Sequence, residues 1–317
     1  MTPPARSALG GGAEFDRIRR IVAALGERAG AVGDDCVILP EGTGSLVLST
    51  DLSIEGVHFR TDWLSWREIG WRAAGGALSD LAAAGASTVG VLVSLGAPAA
   101  APPEASVDLM RGVGDVTVSV GGVVLGGDLS RAQTWVINVT VVGRAIRPMR
   151  RAGARPGDGI WVSGTLGGAR AALTSWLAGT PPAEGARRAF ANPVPRILLG
   201  QRLAESGATA MMDLSDGLGG DAGHLAAASA CRMAIDLARL PLHPDAAARG
   251  AVFAAQGGED YELLATLPPG FSEETRVRIA TETGVPLTRI GTVEEGRGVA
   301  FRHEGKEVTL SGYDHFA

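Results

Sequence analysis

Short apolar runs of β-forming residues alternate with longer stretches of helical period along this chain, and this alternation restricts its fold more than any other feature. Strands that alternate with helices are typical of α/β domains. The alternation stops between Arg144 and Asp158, a stretch rich in arginine with two prolines, and then starts again. We therefore expect two α/β (α+β) domains, over residues 14–146 and 147–317, after a flexible tail at residues 1–13.

The same patterns predict the individual elements. Glu14 to Arg28 has the spacing of an amphipathic helix, and the apolar runs at 36–39 and 45–49 flank a turn and predict a hairpin. The alanine-rich stretch from Trp66 to Gly85 predicts a helix whose small residues permit close packing. Further helices are expected at 102–118, 167–177, 195–206, 218–230 and 273–283, and strands at 89–95, 123–125, 134–142, 160–163, 208–214, 233–237, 261–267, 288–293 and 299–302.

Composition excludes several classes of protein. The formal net charge of −5 argues against a nucleic-acid backbone or an anionic membrane as the main partner, so we expect neither nucleic-acid nor membrane binding. Lys306 is the single lysine, which disfavours a Walker A loop, a protein-kinase lysine and a Schiff-base enzyme. Cys36 and Cys231 lie far apart and indicate neither a disulfide framework nor a zinc site, and we expect a cytoplasmic protein.

Six short acidic motifs carry the chemistry that the sequence suggests. Their acids stand beside Gly, Ser or Thr, with no basic residue adjacent. Any one of them has an ordinary explanation as a turn or a helix cap. Asp51, Asp128 and Asp213 each follow an apolar run, so we expect them at strand ends, where α/β proteins place ligand sites. The motifs are Gly33 to Asp35, Ser49 to Asp51, Leu78 to Asp80, Gly126 to Asp128, Asp213 to Gly217 and Gly257 to Asp260.

Converging carboxylates repel one another unless a cation lies between them. Aspartate oxygens, with the hydroxyls of Ser49 and Thr50, suit Mg²⁺, which completes its coordination shell with water and with the phosphates of a substrate. The sequence therefore favours a polyphosphate substrate.

Two further features of the sequence could contact such a substrate. The glycine-rich stretch from Gly164 to Gly168, between a predicted strand and a predicted helix, has the geometry of an anion site, although a plain βα turn has the same pattern. His58 follows a strand and lies close to Asp51 in the sequence, so it either contacts the substrate or is an ordinary surface histidine. The five histidines show no zinc spacing.

Eight motifs, in order along the chain, carry a resemblance to a known family. They are Gly33 to Cys36, Ser49 to Asp51, Gly56 to Phe59, Leu78 to Ala86, Gly126 to Asp128, Asp213 to Leu218, Gly257 to Leu263 and Gly312 to Phe316. With this set the chain resembles the thiamine-monophosphate kinase family, which is grouped with aminoimidazole ribonucleotide synthetase. The resemblance implies an N-terminal domain whose sheet pairs with that of a second subunit to form a barrel, and a C-terminal α/β domain.

The resemblance also implies a reaction and the residues that take part in it. The reaction is the Mg²⁺-dependent in-line transfer of the γ-phosphoryl group of ATP to thiamine monophosphate, giving thiamine diphosphate and ADP, in a homodimer. The implied metal ligands are Asp35, Ser49, Thr50, Asp51, Asp80, Asp128, Asp213 and Asp216. The implied ATP contacts are Gly127, Asp128, Arg151 and Ser215, and the implied contacts with thiamine monophosphate are His58, Glu259 and Tyr313. Arg147 or Arg150 is an alternative to Arg151, because this stretch is longer than the family pattern, and Phe316 is an alternative to Tyr313.

The reaction needs no catalytic side chain in the strict sense. The second pKa of a phosphate monoester lies near about 6, so the attacking oxygen of the acceptor is already deprotonated. The difficulty is to bring two polyanions together, which metal ions relieve. The alternative of a different class is a non-catalytic ATP- or metal-sensing module of the same fold.

Overall fold

The computed structural model describes residues 37–40 and 44–316. The expected tail, the expected helix from Glu14 to Arg28 and Asp35 lie outside the described residues. Within them, two β-sheets with their helices form two units, and the first sheet ends at Ala145 while the second begins at Gly159. The exact domain bounds stay a prediction. No helix in the described part of the chain is long and apolar enough to span a membrane.

The first sheet has five strands: β1 (Val37–Pro40), β2 (Ser45–Ile54), β3 (Ser87–Pro98), β4 (Val123–Ala132) and β5 (Val136–Ala145). Their spatial order is β1-β2-β5-β3-β4, and all neighbours are antiparallel except β3 and β4, which are parallel. Burial alternates along β5, so one face of the sheet is packed and the opposite face is partly exposed.

Two helices, α1 (Trp66–Ala83) and α2 (Pro103–Ser119), cover the packed face. Helix α1 begins with a capping box formed by Ser65 and Glu68. The helices touch backbone to backbone, because a Cβ atom on Gly112 of α2 would clash with the carbonyl oxygen of Arg67. The small residues of the two helices thus permit the close approach that the sequence predicts for α1.

The second sheet has seven strands: β6 (Gly159–Ser163), β7 (Ala210–Asp213), β8 (Arg232–Asp236), β9 (Leu263–Leu267), β10 (Leu287–Glu294), β11 (Gly298–His303) and β12 (Lys306–Val308). Their spatial order is β12-β11-β8-β10-β6-β9-β7, antiparallel apart from the parallel pair β8 and β11. Strand β7 packs against α1, which brings the end of this sheet to the first unit.

Helix α1 therefore belongs to both units. The helices of the second unit are α3 (Gly168–Leu177), α4 (Glu184–Ala191), α5 (Ile197–Glu205), α6 (Leu218–Ser229), α7 (Pro244–Ala247), α8 (Gly250–Ala255) and α9 (Glu273–Thr283). Gly200 of α5 lies against the backbone of Ala82, where a Cβ atom would clash with the carbonyl oxygen. The indole N–H of Trp71 donates to the carbonyl oxygen of Pro193 at 2.8 Å.

Most of the expected elements are confirmed, including the hairpin, α1 and the short strands of the second unit. The expectation that acids lie at strand ends is confirmed for Asp213 and wrong for Asp51 and Asp128, which lie inside β2 and β4. These two strands continue through polar and glycine residues because their backbone pairing with β5 and β3 continues there. Strand β12 and the helices α4, α7 and α8 were not expected from the sequence.

Candidate active site

A cleft of about 1200 Å³ lies between the two units. Its walls come from β2 and the loop that follows, from α1, from the turn after β7, from residues 256–261 and from the C-terminal segment. The residues of the resemblance that line it are Ser49, Asp51, His58, Asp80, Arg151, Asp213, Ser215, Asp216, Glu259 and Tyr313. Positions that are far apart in the sequence thus meet in one place.

Helix α1 presents one face to the cleft. Arg72, Gly76 and Asp80 line it and recur every four residues, which places them on the same side of the helix. Asp80 Oδ2 accepts a hydrogen bond from Ser49 Oγ at 2.5 Å. Asp51 lies two residues after Ser49 and shares its face of β2. Carboxylate and hydroxyl oxygens of a helix and a strand therefore face the same space.

The second unit contributes a further group of acids. Asp213 is buried at the end of β7, and Asp216 lies in the turn that leads into α6. Asp221, buried in the first turn of α6, accepts a hydrogen bond from the N–H of Asp216 at 3.1 Å. Burial raises the pKa of Asp221 well above its ordinary value, and the charges of Asp216 and Asp213 raise it further. The negative charges of Asp213 and Asp216 therefore act together at this wall of the cleft.

The donor set fits a hard cation. Burial raises the pKa of Tyr261. The charge of Arg72 lowers it, while the charges of Asp51, Asp213 and Asp216 raise it, so carboxylates of both units act on this one phenol. Among residues 37–40 and 44–316, no three or more His, Cys, Asp or Glu side chains are grouped closely enough to hold a metal ion by themselves. Mg²⁺ does not need such a group, because it keeps several waters and takes oxygens from substrate phosphates.

Some implied residues lie away from this cleft. Thr50 is exposed, and its hydroxyl is 3.0 Å from Oγ1 of Thr140 on β5. Gly127 and Asp128 lie on β4, which is exposed along most of its length at the edge of the first sheet. Asp35 lies outside the described residues. The expected roles of these four residues stay predictions.

Of the three arginines that the sequence leaves open, Arg151 lines the cleft, whereas Arg147 and Arg150 are not among its lining residues. Arg147 donates to the carbonyl oxygens of Ala204 and Ala208 at 3.4 and 3.5 Å. Which arginine contacts ATP stays a prediction. Near the C-terminus, Tyr313 and Phe316 both line the cleft, so either ring is placed to meet a ligand.

The glycine-rich turn from Gly164 to Gly168 is filled by a carboxylate of the chain itself. Both oxygens of Asp260 accept from the N–H of Gly167, at 2.9 and 3.0 Å, and the N–H groups of Gly168 and Ala169 also bond to this side chain. Burial raises the pKa of Asp260 to about 8, although these N–H groups lower it. The N–H groups at the N-terminus of α3 therefore already have a partner within the chain, and the expectation that this turn binds an external anion is wrong.

Asp260 belongs to a turn, residues 257–262, that is held in an unusual conformation. Glu259 and Tyr261 have φ angles of 69° and 50°, which residues other than glycine seldom adopt. Their N–H groups donate to the backbone oxygens of residues 215 and 214 at 2.7 and 2.9 Å. The carboxylate of Glu259 forms an ion pair with Arg72 of α1. The turn is therefore fixed from both units.

An aromatic cluster forms another wall. The ring centroids of His58 and His315 are 5.1 Å apart, and those of Tyr313 and His315 are 4.8 Å apart. The N–H of Ile54 donates to Nδ1 of His58 at 3.1 Å, so the neutral ring carries its proton on Nε2. Burial lowers the pKa of His58 to about 4, and the charges of His315 and Arg72 also lower it. At neutral pH, His58 is therefore an uncharged N–H donor.

Four residues of the site have no role in the sequence-based interpretation. They are Arg72, Asp221, Asp260 and His315. The spacing of Arg72 from Asp80 on a predicted helix is a signal that places it on the face of the acids. Asp260 and His315 lie inside motifs already chosen and Asp221 lies three residues after one, but the sequence gives none of them an individual role.

Comparison with known families covers both units. Residues 33–145 match the family AIR synthase related protein, N-terminal domain, and residues 155–304 match AIR synthase related protein, C-terminal domain. The expected two-domain α/β architecture is confirmed.

Individual relatives are similar along nearly the whole chain. The thiamine-monophosphate kinase of Caulobacter vibrioides is 34% identical over 316 residues, which cover 94% of this chain and 89% of the relative. That of Escherichia coli K12 is 36% identical over 328 residues, which cover 96% of each chain. The structure of AaThiL complexed with AMPPCP and TMP has a TM-score of 0.86 and 32% identity, and it covers 96% of this chain and 97% of its own. The chain belongs to the thiamine-monophosphate kinase family.

Proposed function

We propose that this chain transfers the γ-phosphoryl group of ATP to thiamine monophosphate and releases thiamine diphosphate and ADP. The observation that carries this proposal is the cleft between the units, which is lined by carboxylates from both units and by the aromatic side chains of His58, Tyr313 and Phe316. A site of this kind suits a metal-bound polyphosphate beside an organic ring system. The relative AaThiL was solved with AMPPCP and TMP together, which supports the same pair of ligands here.

The carboxylates are proposed to hold Mg²⁺. Asp51, Asp80, Asp213 and Asp216 with the Ser49 hydroxyl offer only oxygen ligands, which is the donor set that this ion prefers. When bound, Mg²⁺ neutralises phosphate charge and aligns the donor with the acceptor. Thr50, Asp128 and Asp35 remain proposed ligands from the resemblance alone.

The residues of the chain bind and orient the two substrates. Arg151 and Ser215 are proposed to contact the phosphates of ATP beside Asp216, with Gly127 and Asp128 as further contacts from the resemblance. His58 is proposed to donate from Nε2 to the acceptor, while Tyr313 packs against its ring. Glu259 faces the same part of the cleft. No side chain needs to remove a proton, since the acceptor phosphate is deprotonated at neutral pH.

A homodimer is proposed from the exposed face of the first sheet. Leu52 and Leu92 lie on this face and are 47% and 41% exposed, and the edge strand β4 is exposed as well. An exposed apolar sheet face with an open edge favours association with another copy. We also propose a cytoplasmic location, because the two cysteines show no disulfide pattern.

Phosphorus NMR tests the function directly. Purified protein with ATP, Mg²⁺ and thiamine monophosphate should give the β-phosphate signal of thiamine diphosphate, and reactions without acceptor or with unphosphorylated thiamine should not. ADP without thiamine diphosphate would show that the acceptor is wrong. If ATP binds and nothing is transferred, the sensing module becomes the better account.

A further inference from the structure

Arg72 is a buried cation that has no part in the reaction as proposed above. It projects from α1 of the first unit and is 5% exposed. Burial lowers its pKa to about 10, so the guanidinium is still charged at neutral pH. A buried charge is costly unless it is paired and hydrogen-bonded, so the partners of Arg72 indicate what it does.

Each part of the guanidinium has its own partner. Nη2 forms an ion pair with Glu259, and Nη1 donates to the carbonyl oxygen of Phe190 at 2.7 Å. Nε donates to the carbonyl oxygen of His58 at 3.3 Å, and the guanidinium carbon lies 3.7 Å from the centroid of the Phe190 ring. A single side chain thus joins α1, the loop after β2, helix α4 and the turn at residues 257–262.

Two of these partners are the residues proposed to contact the acceptor. His58 is held through its backbone oxygen and Glu259 through its carboxylate. Glu259 has the positive φ angle described above, which residues other than glycine seldom adopt. Contacts such as the ion pair with Arg72 must therefore hold this residue in place. Its side chain is 29% exposed, which leaves part of it in the cleft.

We propose that Arg72 is a positioning residue for the phosphate acceptor. It holds Glu259 and the His58 backbone in one arrangement across the two units, and so sets the affinity for the acceptor while acting through these neighbours. The inference rests on the proposed function, since it concerns the acceptor part of the same cleft. The role requires arginine, because a planar fork serves three partners at once and the ammonium group of lysine does not reproduce that geometry.

Three variants test this role. Arg72→Met removes the charge and the donors but keeps an apolar stem, and Arg72→Lys keeps the charge without the fork. Arg67→Met is the matched control, because Arg67 lies on the same helix but is exposed and pairs with Asp115. For each protein we would measure amide hydrogen exchange of residues 257–262 without ligands, and the KM values for ATP and for thiamine monophosphate.

We expect faster exchange at residues 257–262 in Arg72→Met than in the wild type or in Arg67→Met. The KM for thiamine monophosphate should rise about 10- to 100-fold, the range for loss of a charged hydrogen bond. The KM for ATP should change by less than about threefold, because the positioned groups do not touch ATP. Arg72→Lys should give an intermediate effect. In a Glu259→Gln background, Arg72→Met should add less than it does in the wild type, since part of its effect acts through the same carboxylate.

Unchanged exchange in the turn, equal rises of both KM values, or fully additive effects in the double variant would overturn the proposal. Should Arg72→Met fail to fold by circular dichroism, Arg72→Lys takes its place, and an unchanged acceptor KM in that variant overturns the role. If the wild-type protein makes no thiamine diphosphate, the proposed function fails by itself. The exchange measurement still decides in that case whether Arg72 holds the turn.

Discussion

The hydrogen bond between Ser49 and Asp80 fixes the direction of a carboxylate that lines the cleft. The hydroxyl of Ser49 donates to Asp80 Oδ2 at 2.5 Å and so fixes the direction of a side chain that projects from α1 toward β2. If Asp80 holds Mg²⁺ as proposed, fixing its side chain beforehand reduces the conformational entropy that is lost when the ion binds. The side chain of Asp80 is thus fixed where helix α1 faces strand β2.

We predict that Asp80→Asn lowers the acceptor-dependent rate by at least about 100-fold, the scale seen when one preorganised electrostatic group is lost. The amide keeps the shape and can still accept from Ser49, so the melting temperature should change little. Asp51→Asn should behave in the same way. Initial rates of ADP formation and calorimetry check both expectations. Asp115→Asn, an exposed site on α2, is the control, and near-normal turnover of Asp80→Asn would contradict the metal assignment.

His58 should make stability depend on pH. Its pKa is lowered from 6.5 to about 4 in the folded protein, so between these values the unfolded chain binds a proton that the folded chain does not. Stability therefore falls as the pH decreases from about 6.5 toward about 4. We predict that His58→Gln flattens this part of the curve, measured as melting temperature against pH. His303→Gln, on β11, is the control, and a slope unchanged by His58→Gln would show that other groups cause it.

At the scale of elements, the packing of α1 decides the geometry of the cleft. The helix packs against α2, α5 and β7. Arg72 and Asp80 lie on the face of this helix that lines the cleft. Its position depends on glycines that permit backbone contact, such as Gly112 on α2. A shift of α1 would therefore move the residues that line the cleft.

Gly112→Ala should destabilise the protein by about 1 to 3 kcal/mol, because the added Cβ has no room beside the Arg67 carbonyl oxygen. Gly114→Ala lies two residues away on the same helix, with no atom within 4 Å of the added Cβ. This control should stabilise the protein by about 0.5 to 1 kcal/mol, because alanine lowers the conformational entropy of the unfolded chain. Urea unfolding of both variants measures the difference, and equal effects would contradict the packing argument.

Local patterns in the sequence predict the elements well, because period and turn residues act over a few positions. They do not predict contacts between distant segments. No basic residue stands beside the acids in the sequence, yet Arg72 pairs with Glu259 across 187 positions. The sequence does not predict that Asp260 fills the turn after β6 for the same reason, since a helix N-terminus does not specify which acceptor its N–H groups bind.

At the scale of the whole molecule, the first sheet has one covered and one open face. Helices α1 and α2 pack on one side, while Leu52, Leu92 and the polar side chains of Thr50 and Thr140 lie on the other. The proposed dimer would bury this open face against its copy.

We predict that the wild-type chain sediments as a dimer and that Leu92→Arg shifts it to the monomer, because a charge would have to be buried in the contact. Val277→Arg is the control, since Val277 is 48% exposed on α9, outside this sheet. Analytical ultracentrifugation at several concentrations measures the change. A dimer that survives Leu92→Arg would place the contact elsewhere. A wild-type monomer would exclude the proposed dimer.

The carboxylate of Asp260 at the start of α3 has a consequence for how a nucleotide can lie in the cleft. The first turn of α3 borders the cleft through Ala169 and Arg170, and its N–H groups would otherwise attract any phosphate that enters. Because the Asp260 side chain already accepts hydrogen bonds there, a phosphate could bind these N–H groups only by displacing it. In the proposed function, the phosphates bind instead beside the Mg²⁺ that the acids of the two units would hold.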